Sequence, residues 1–139
     1  MSEEQAQKLL YQIQMLEGYF SELTQKEASI VSIIREAYSA IQSLKTIDNK
    51  NDNETIVPLG LGTFVKTKIL PNEKLILNIG AGIAVEKDKD SAINYLELRL
   101  KEMQVALQET LNQKQQIMAN LEQGKQQMQQ LLAASRSKK

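Results

Sequence analysis

The chain has 139 residues, of which 42% are hydrophobic, a share typical of one soluble folded domain rather than of a disordered polypeptide. Its 17 Lys and Arg residues balance its 17 Asp and Glu residues, so no field of one sign attracts nucleic acid or an anionic membrane. Cysteine and histidine are both absent, which removes thiolate nucleophiles and the commonest general base and metal ligand, so we expect no enzyme, no metal site and no cofactor.

Residues 1–47 are predicted to form one long helix. An apolar stripe recurs along it in alternating steps of three and four, an average of about 3.5 residues that is typical of a supercoiled helix pair. Only Glu27 interrupts this stripe. The stripe, called here the first seam, consists of Ala6, Leu9, Ile13, Leu16, Phe20, Leu23, Ile30, Ile34, Ala37, Ile41 and Leu44.

Residues 54–87 have a composition typical of β-structure, and a polar segment at residues 48–53 separates them from the helix. Two glycine-containing triplets, Gly60-Leu61-Gly62 and Gly80-Ala81-Gly82, are typical of tight turns and predict two β-hairpins in series. They do not continue into a helix or supply the Lys and Ser/Thr of a phosphate-binding loop. The predicted strands are Glu54 to Leu59, Thr63 to Ile69, Lys74 to Ile79 and Ile83 to Glu86.

An isolated two-stranded hairpin is only marginally stable in water, and short strands leave open edges. The β region is therefore predicted to build an oligomer. Alternation along the strands places some apolar side chains on the inside of the assembly and others against neighbouring subunits. It does not decide which residues belong to each group. The predicted oligomerisation residues are Ile56, Val57, Phe64, Val65, Ile69, Leu75, Leu77, Ile79, Ile83 and Val85.

Residues 90–135 are predicted to form a second long helix, with Asp88, Asp90 and Ser91 as candidate N-terminal caps. Its stripe, the second seam, is weaker because it includes polar residues and a glycine. The second seam consists of Ile93, Leu96, Leu100, Met103, Leu107, Thr110, Lys114, Ile117, Leu121, Gly124, Met128 and Leu131.

The two seams have nearly equal lengths and a short insert between them, which predicts an antiparallel two-helix coiled coil. Pairing Leu44 with Ile93 sets the register. Glu27 then lies opposite Thr110 and diagonal to Lys114, so the polar interruptions of both seams coincide. We expect Glu27 and Lys114 to meet across the coiled coil and to help fix this register.

The end of the coiled coil remote from the hairpins is called the arm tip. Leu10 and Leu132 lie there outside both seams, and two helices alone cannot cover seam and off-seam residues together, so an apolar patch is predicted to be partly exposed. Fraying of the helix ends is an equally weighted alternative. The candidate binding residues at the tip are Leu9, Leu10, Ile13, Leu121, Met128, Leu131 and Leu132.

Two sequence segments between the helices resemble the prefoldin family, and specifically the α-class subunits of archaeal prefoldins. They are ETIVPLGLGTFVK at residues 54–66 and LILNIGAGIAVEK at residues 75–87. Helical arms alone would be unspecific, but arms combined with these hairpins cover essentially the whole chain. The α class has two hairpins, as predicted here, whereas the β class has one.

The resemblance implies an α+β fold in which residues 1–139 form a single domain, with hairpins that assemble into an oligomeric β-barrel platform. It implies a cytoplasmic hetero-hexamer of two α and four β subunits. The hexamer would hold unfolded polypeptides between its arm tips and pass them to a group II chaperonin without nucleotide.

Two functions therefore compete. The leading hypothesis is a holdase chaperone that grips non-native chains weakly at several points. The alternative is a structural coiled-coil adaptor that scaffolds folded partners and does not bind unfolded chains. Suppression of the aggregation of an unrelated denatured protein would discriminate between them.

Overall fold

The structure is a computed structural model that describes residues 2–137. Met1, Lys138 and Lys139, which include the first residue of the predicted helix 1–47, lie outside the described residues. The element order is α1 (Ser2–Lys45), β1 (Asn53–Gly60), β2 (Thr63–Ile69), β3 (Leu75–Gly80), β4 (Ile83–Lys87) and α2 (Lys89–Ser137). Two long helices with two small hairpins between them are the fold class that the sequence predicts.

The chain divides into two compact units, each described separately. The first, called the distal unit, consists of Met1–Ile33 with Met103–Lys139. The second, called the hairpin unit, is the continuous segment Ile34–Glu102. Among residues 2–137, no helix is long and apolar enough to cross a membrane.

The distal unit is an antiparallel pair of helical segments packed along the two seams. All members of both seams are buried or half-buried, which confirms the period of about 3.5 residues. Ile13, Ile30 and Leu121 are among its most buried apolar side chains. Ile13 packs against the backbone at Gly124, where a Cβ atom would lie 3.2 Å from Ile13 Cγ1.

The hairpin unit contains the other ends of both helices and all four strands. Its buried apolar residues are Ile41, Ala92 and Leu100. The Lys89 ammonium group donates a hydrogen bond of 2.7 Å to the carbonyl oxygen of Ile47, just beyond the end of α1. This contact satisfies a carbonyl group that has no partner within the helix.

The N-terminus of α2 is capped by Asp88. Its carboxylate oxygen Oδ1 accepts a hydrogen bond of 2.8 Å from the N–H of Ser91, an arrangement that satisfies a free donor of the first helical turn. Hydrogen bonds from the backbone and side chain of Ser91 lower the pKa of Asp88 below its ordinary value. Of the three candidate caps, Asp88 is therefore the acceptor.

The polar segment after α1 is held by its own side chains. Asp48 Oδ1 accepts a hydrogen bond of 2.8 Å from the N–H of Lys50, and Asn53 Oδ1 accepts one of 2.9 Å from the N–H of Asp48. The hydrogen bonds from Lys50 and then from the Asn51 side chain lower the pKa of Asp48. The chain thus leaves the helix through a turn in which short polar side chains replace helical hydrogen bonds.

The strands form two separate antiparallel sheets, β1 with β2 and β3 with β4. In each hairpin the two central turn residues have positive φ, Leu61 and Gly62 in the first and Ala81 and Gly82 in the second, and so do the preceding Gly60 and Gly80. Two such residues define the type I′ turn, whose twist matches that of the paired strands. The predicted turns are confirmed.

Candidate functional site

The first hairpin exposes apolar side chains on both of its faces. Residues directly opposite one another share a face, so Val57 and Val65 lie on one side, while Pro58 and Phe64 lie on the other. Phe64 is 57% exposed although it is one of the two phenylalanines of the chain. A large apolar ring exposed to this degree is the kind of surface that another protein can cover.

The second hairpin has two unequal faces. Leu77 pairs with Val85 and Leu75 with Lys87, and these four side chains are half-buried. Ile76 lies on the opposite face and is 74% exposed. The register therefore assigns faces that alternation in the sequence left undecided.

Most of the ten predicted oligomerisation residues are exposed. Ile69, Leu75, Leu77 and Val85 are half-buried, whereas the remaining six are exposed. Their role in assembly stays a prediction.

Sequence reasoning also missed exposed residues of the same character. Ile76 could have been predicted from strand alternation, which places it on the face opposite Leu75 and Leu77. Leu59 ends the predicted strand Glu54 to Leu59, and Leu61 lies in the predicted turn. Within residues 54–87, the exposed large apolar residues that the sequence analysis did not select are Leu59, Leu61, Leu70 and Ile76.

At the arm tip, burial separates the seven candidate residues into three groups. Ile13 and Leu121 are each 7% exposed, so the seam encloses them and a ligand reaches them only if the helices part. Leu9, Met128 and Leu131 are half-buried. Leu10 and Leu132 are about half exposed, at 49% and 51%. The structure brings Leu9 and Leu131 into the lining of one groove.

The distal unit contains a polar layer in which Lys114 and Glu27 meet. The Lys114 ammonium nitrogen lies 2.6 Å from Glu27 Oε2 and 4.9 Å from the centre of the Phe20 ring. Beside them, the Thr110 hydroxyl is buried and donates a hydrogen bond of 2.8 Å to the carbonyl of Ala106. Each polar group in the layer thus has a partner, as buried polar groups require.

Between residues 2 and 137, no cluster of three or more His, Cys, Asp or Glu side chains that could hold a metal ion occurs. The candidate sites described above are two surfaces, the hairpin faces and the arm tip.

Comparisons with known proteins place the chain among related sequences. A family profile described as "Prefoldin subunit" matches residues 11–134. A prefoldin subunit alpha from Nitrosopumilus maritimus is 53% identical over 134 residues, which cover 96% of this chain and 92% of the relative. Prefoldin subunit alpha 1 from Thermococcus kodakarensis is 35% identical over 98 residues, which cover 69% of this chain and 66% of the relative.

Two solved structures share the fold. The crystal structure of the prefoldin beta subunit from Thermococcus strain KS-1 matches with a TM-score of 0.66 and 16% identity, covering 91% of this chain and 90% of that one. The cryo-EM structure of filamentous PFD from Methanocaldococcus jannaschii matches with a TM-score of 0.51 and 21% identity, covering 87% of this chain and 95% of that one.

Proposed function

The chain belongs to the prefoldin family, as an α-class chaperone subunit, and from this premise we propose that it acts as an ATP-independent holdase. It joins β-type subunits through its hairpins, captures unfolded polypeptides at its arm tips and passes them to a group II chaperonin. It is not an enzyme, and it works in the cytoplasm within a hetero-hexamer of two α and four β subunits.

The observation that carries the proposal is the exposed apolar surface of two hairpins that pair with no further strand among residues 2–137. Each hairpin is a two-stranded sheet with unpaired edges. Such a sheet needs further strands for stability, because an isolated hairpin is marginal in water. Residues such as Phe64 and Ile76 supply the apolar faces that neighbouring subunits would cover. The prefoldin beta subunit of Thermococcus strain KS-1 shares the fold of this chain.

Client capture at the arm tip is supported by Leu10 and Leu132, which remain half exposed beside the seam. Burying one leucine side chain contributes roughly 1.5 to 3 kcal/mol, so each contact is weak. Several arms in one assembly would add avidity while the binding stays reversible. A holdase needs this combination, because it must release its client.

The proposal is tested with the purified chain alone and with a β-type subunit. Native mass measurement should give a hetero-oligomer only when both subunits are present. That complex should suppress the aggregation of guanidinium-denatured citrate synthase equally well with and without ATP. A complex that assembles but leaves aggregation unchanged would favour the structural adaptor instead.

A further inference from the structure

One flank of the distal unit carries a long groove that lies beside the seam. Three adjoining cavities of about 430, 460 and 340 Å³ form it. The first and second share Gln12 and Gln127 in their linings, and the second and third share Asn120. We call this surface the amide groove.

The α2 side of the groove is lined by amide side chains, the α1 side mixes Gln5 and Gln12 with Tyr11, Met15 and Tyr19, and the floor is the apolar seam. Eight Gln and Asn residues line the three cavities, whereas the charged side chains there are Lys8 and Glu22. The amides share one flank because they recur at the heptad spacing, as at Gln113, Asn120 and Gln127. The placement of these amides on one flank therefore follows from the sequence repeat and does not depend on the rotamer of any one side chain.

These amides are open to an incoming ligand. Among residues 3–137, Gln12, Gln113 and Gln127 form no side-chain hydrogen bond with the rest of the chain. Elsewhere on α2, by contrast, Gln108 donates a hydrogen bond of 3.0 Å to Asn112, so amides one turn apart on this helix can satisfy each other. Gln123 and Gln127 in the groove have the same spacing of four residues, but among residues 3–137 they form no such hydrogen bond, so their amide donors and acceptors stay available to a ligand.

An amide side chain offers the same donor and acceptor groups as a peptide bond. A wall of amides is thus complementary to the backbone of an extended chain, whatever its sequence, and the apolar floor accepts side chains such as Val or Leu. The near absence of charge excludes a phosphate backbone as the preferred ligand, since that would need Lys and Arg. A partner helix would need apolar contacts on both sides of the groove, whereas Tyr11, Met15 and Tyr19 supply them on the α1 side alone and the α2 side is amide.

We propose that the amide groove binds an extended, uncharged segment of a non-native polypeptide through its backbone peptide groups. From Gln5 to Tyr19 the groove runs about 21 Å at the helical rise. An extended chain covers that length with about six residues. The inference rests on the proposed holdase function and adds a second mode of capture beside the apolar contacts of Leu10 and Leu132.

The test uses the complex of this chain with its β-type subunit and a short photoreactive peptide of Gly, Ser, Ala and Val. Crosslinks are located by mass spectrometry, so that only binding by this chain is scored. The groove variant combines Gln12→Glu, Gln113→Glu and Gln127→Glu. The matched control combines Gln14→Glu, Gln115→Glu and Gln126→Glu, which alter exposed amides on the same helices outside the groove.

The groove variant should lose crosslinking to this chain and weaken its binding of the peptide by about tenfold, since a carboxylate cannot donate and is costly to desolvate. The control should stay within about twofold of the unmodified complex. A peptide methylated on alternate backbone nitrogens keeps its side chains but loses donors, and it should bind the unmodified complex about tenfold more weakly. A second variant with Ala at the same three groove positions preserves helix propensity and should lose binding similarly.

The inference would be overturned if the groove variants bound the peptide as tightly as the control. It would also be overturned if the unmodified complex bound the methylated and unmethylated peptides equally. If the unmodified complex still suppressed aggregation of denatured citrate synthase, the proposed holdase function would stand without it. If the unmodified complex neither suppressed aggregation nor bound the peptide, the function and the inference would fall together.

Discussion

The ion pair between Glu27 and Lys114 places two charges inside an otherwise apolar seam. Their side chains are 28% and 17% exposed, so desolvation offsets part of their attraction, but misaligned helices would leave each charge facing apolar residues. We expect Glu27→Lys and Lys114→Glu each to lower the melting temperature, and their combination to recover part of the loss. Recovery stays incomplete because Lys114→Glu also removes the cation above Phe20. Urea unfolding should give a coupling energy of about 1 kcal/mol.

The control for this pair is Lys45 with Glu97, whose charged atoms are 3.9 Å apart and about half exposed. Reversing both of these charges should show almost no coupling, because exposed ion pairs contribute little. The coupling energy of Glu27 and Lys114 should exceed that of Lys45 and Glu97 when both are measured by double-mutant cycles. If the two energies were equal, or if Glu27 and Lys114 showed no coupling, the ion pair would not explain the register.

Two glycines inside helices test how tightly the seam is packed. Gly18 is exposed, with no atom within 4 Å of a Cβ placed there, whereas a Cβ at Gly124 would approach Ile13 to 3.2 Å. Gly18→Ala should therefore gain the full helix-propensity difference of about 1 kcal/mol. Gly124→Ala should gain measurably less, since Ile13 must move. Thermal unfolding of the two variants side by side decides this, and an equal gain would mean that the seam is loose at Gly124.

At the scale of single elements, the start of α2 depends on an ionised cap. Because the folded-state pKa of Asp88 is lowered, its contribution to stability is present above the ordinary aspartate pKa and is lost as the pH falls through the folded value. Asp88→Ala should lower the melting temperature at about pH 7 and have a smaller effect well below the ordinary aspartate pKa of about 3.9. Circular dichroism melts at both pH values measure the difference.

Asp90→Ala is the matched control for the cap. Asp90 lies in the first turn of α2, and among residues 2–137 its carboxylate makes none of the capping hydrogen bonds that Asp88 accepts. Its removal should change the melting temperature less than Asp88→Ala at about pH 7. A larger effect of Asp90→Ala would show that helix-dipole stabilisation outweighs the cap.

The sequence predicted the elements themselves well because each has a local physical cause. The seam positions follow from heptad spacing, and the turns follow from Gly62 and Gly82 at positions of positive φ. The sequence did not predict which face of each hairpin is more exposed. Apolar residues occupy both sides of the strands, so alternation does not distinguish a buried face from a solvent face. At the arm tip, spacing selected Ile13 and Leu121 but gave no measure of burial, which depends on the partner helix.

At the scale of the whole molecule, the hairpins are predicted to hold the assembly together. Phe64→Asp places a charge where an exposed aromatic ring would be covered by another subunit. We expect this variant to release subunits while its helicity stays nearly unchanged, because the seams do not involve Phe64. Light scattering measures assembly size, and circular dichroism measures helicity.

The matched control is Tyr11→Asp, which removes another exposed aromatic side chain but lies on α1 in the distal unit. It should leave the assembly size unchanged. An assembly of normal size with Phe64→Asp would contradict the assignment of this hairpin face, and a loss of assembly with Tyr11→Asp would place subunit contacts on the helix.

Removal of the arm tips separates assembly from client capture. Deleting Met1 to Gln12 together with Met128 to Lys139 takes residues only from the distal unit and leaves every strand of the hairpin unit in place. The hetero-oligomer should therefore form at its normal size. Client capture should fall sharply, because Leu10, Leu132 and one end of the amide groove are lost together and avidity multiplies each loss. The measurement is aggregation of denatured citrate synthase against the amount of complex. If the truncated complex protected at the stoichiometry of the full-length one, the capture surface would have to lie on the remaining helix flanks or on the hairpins.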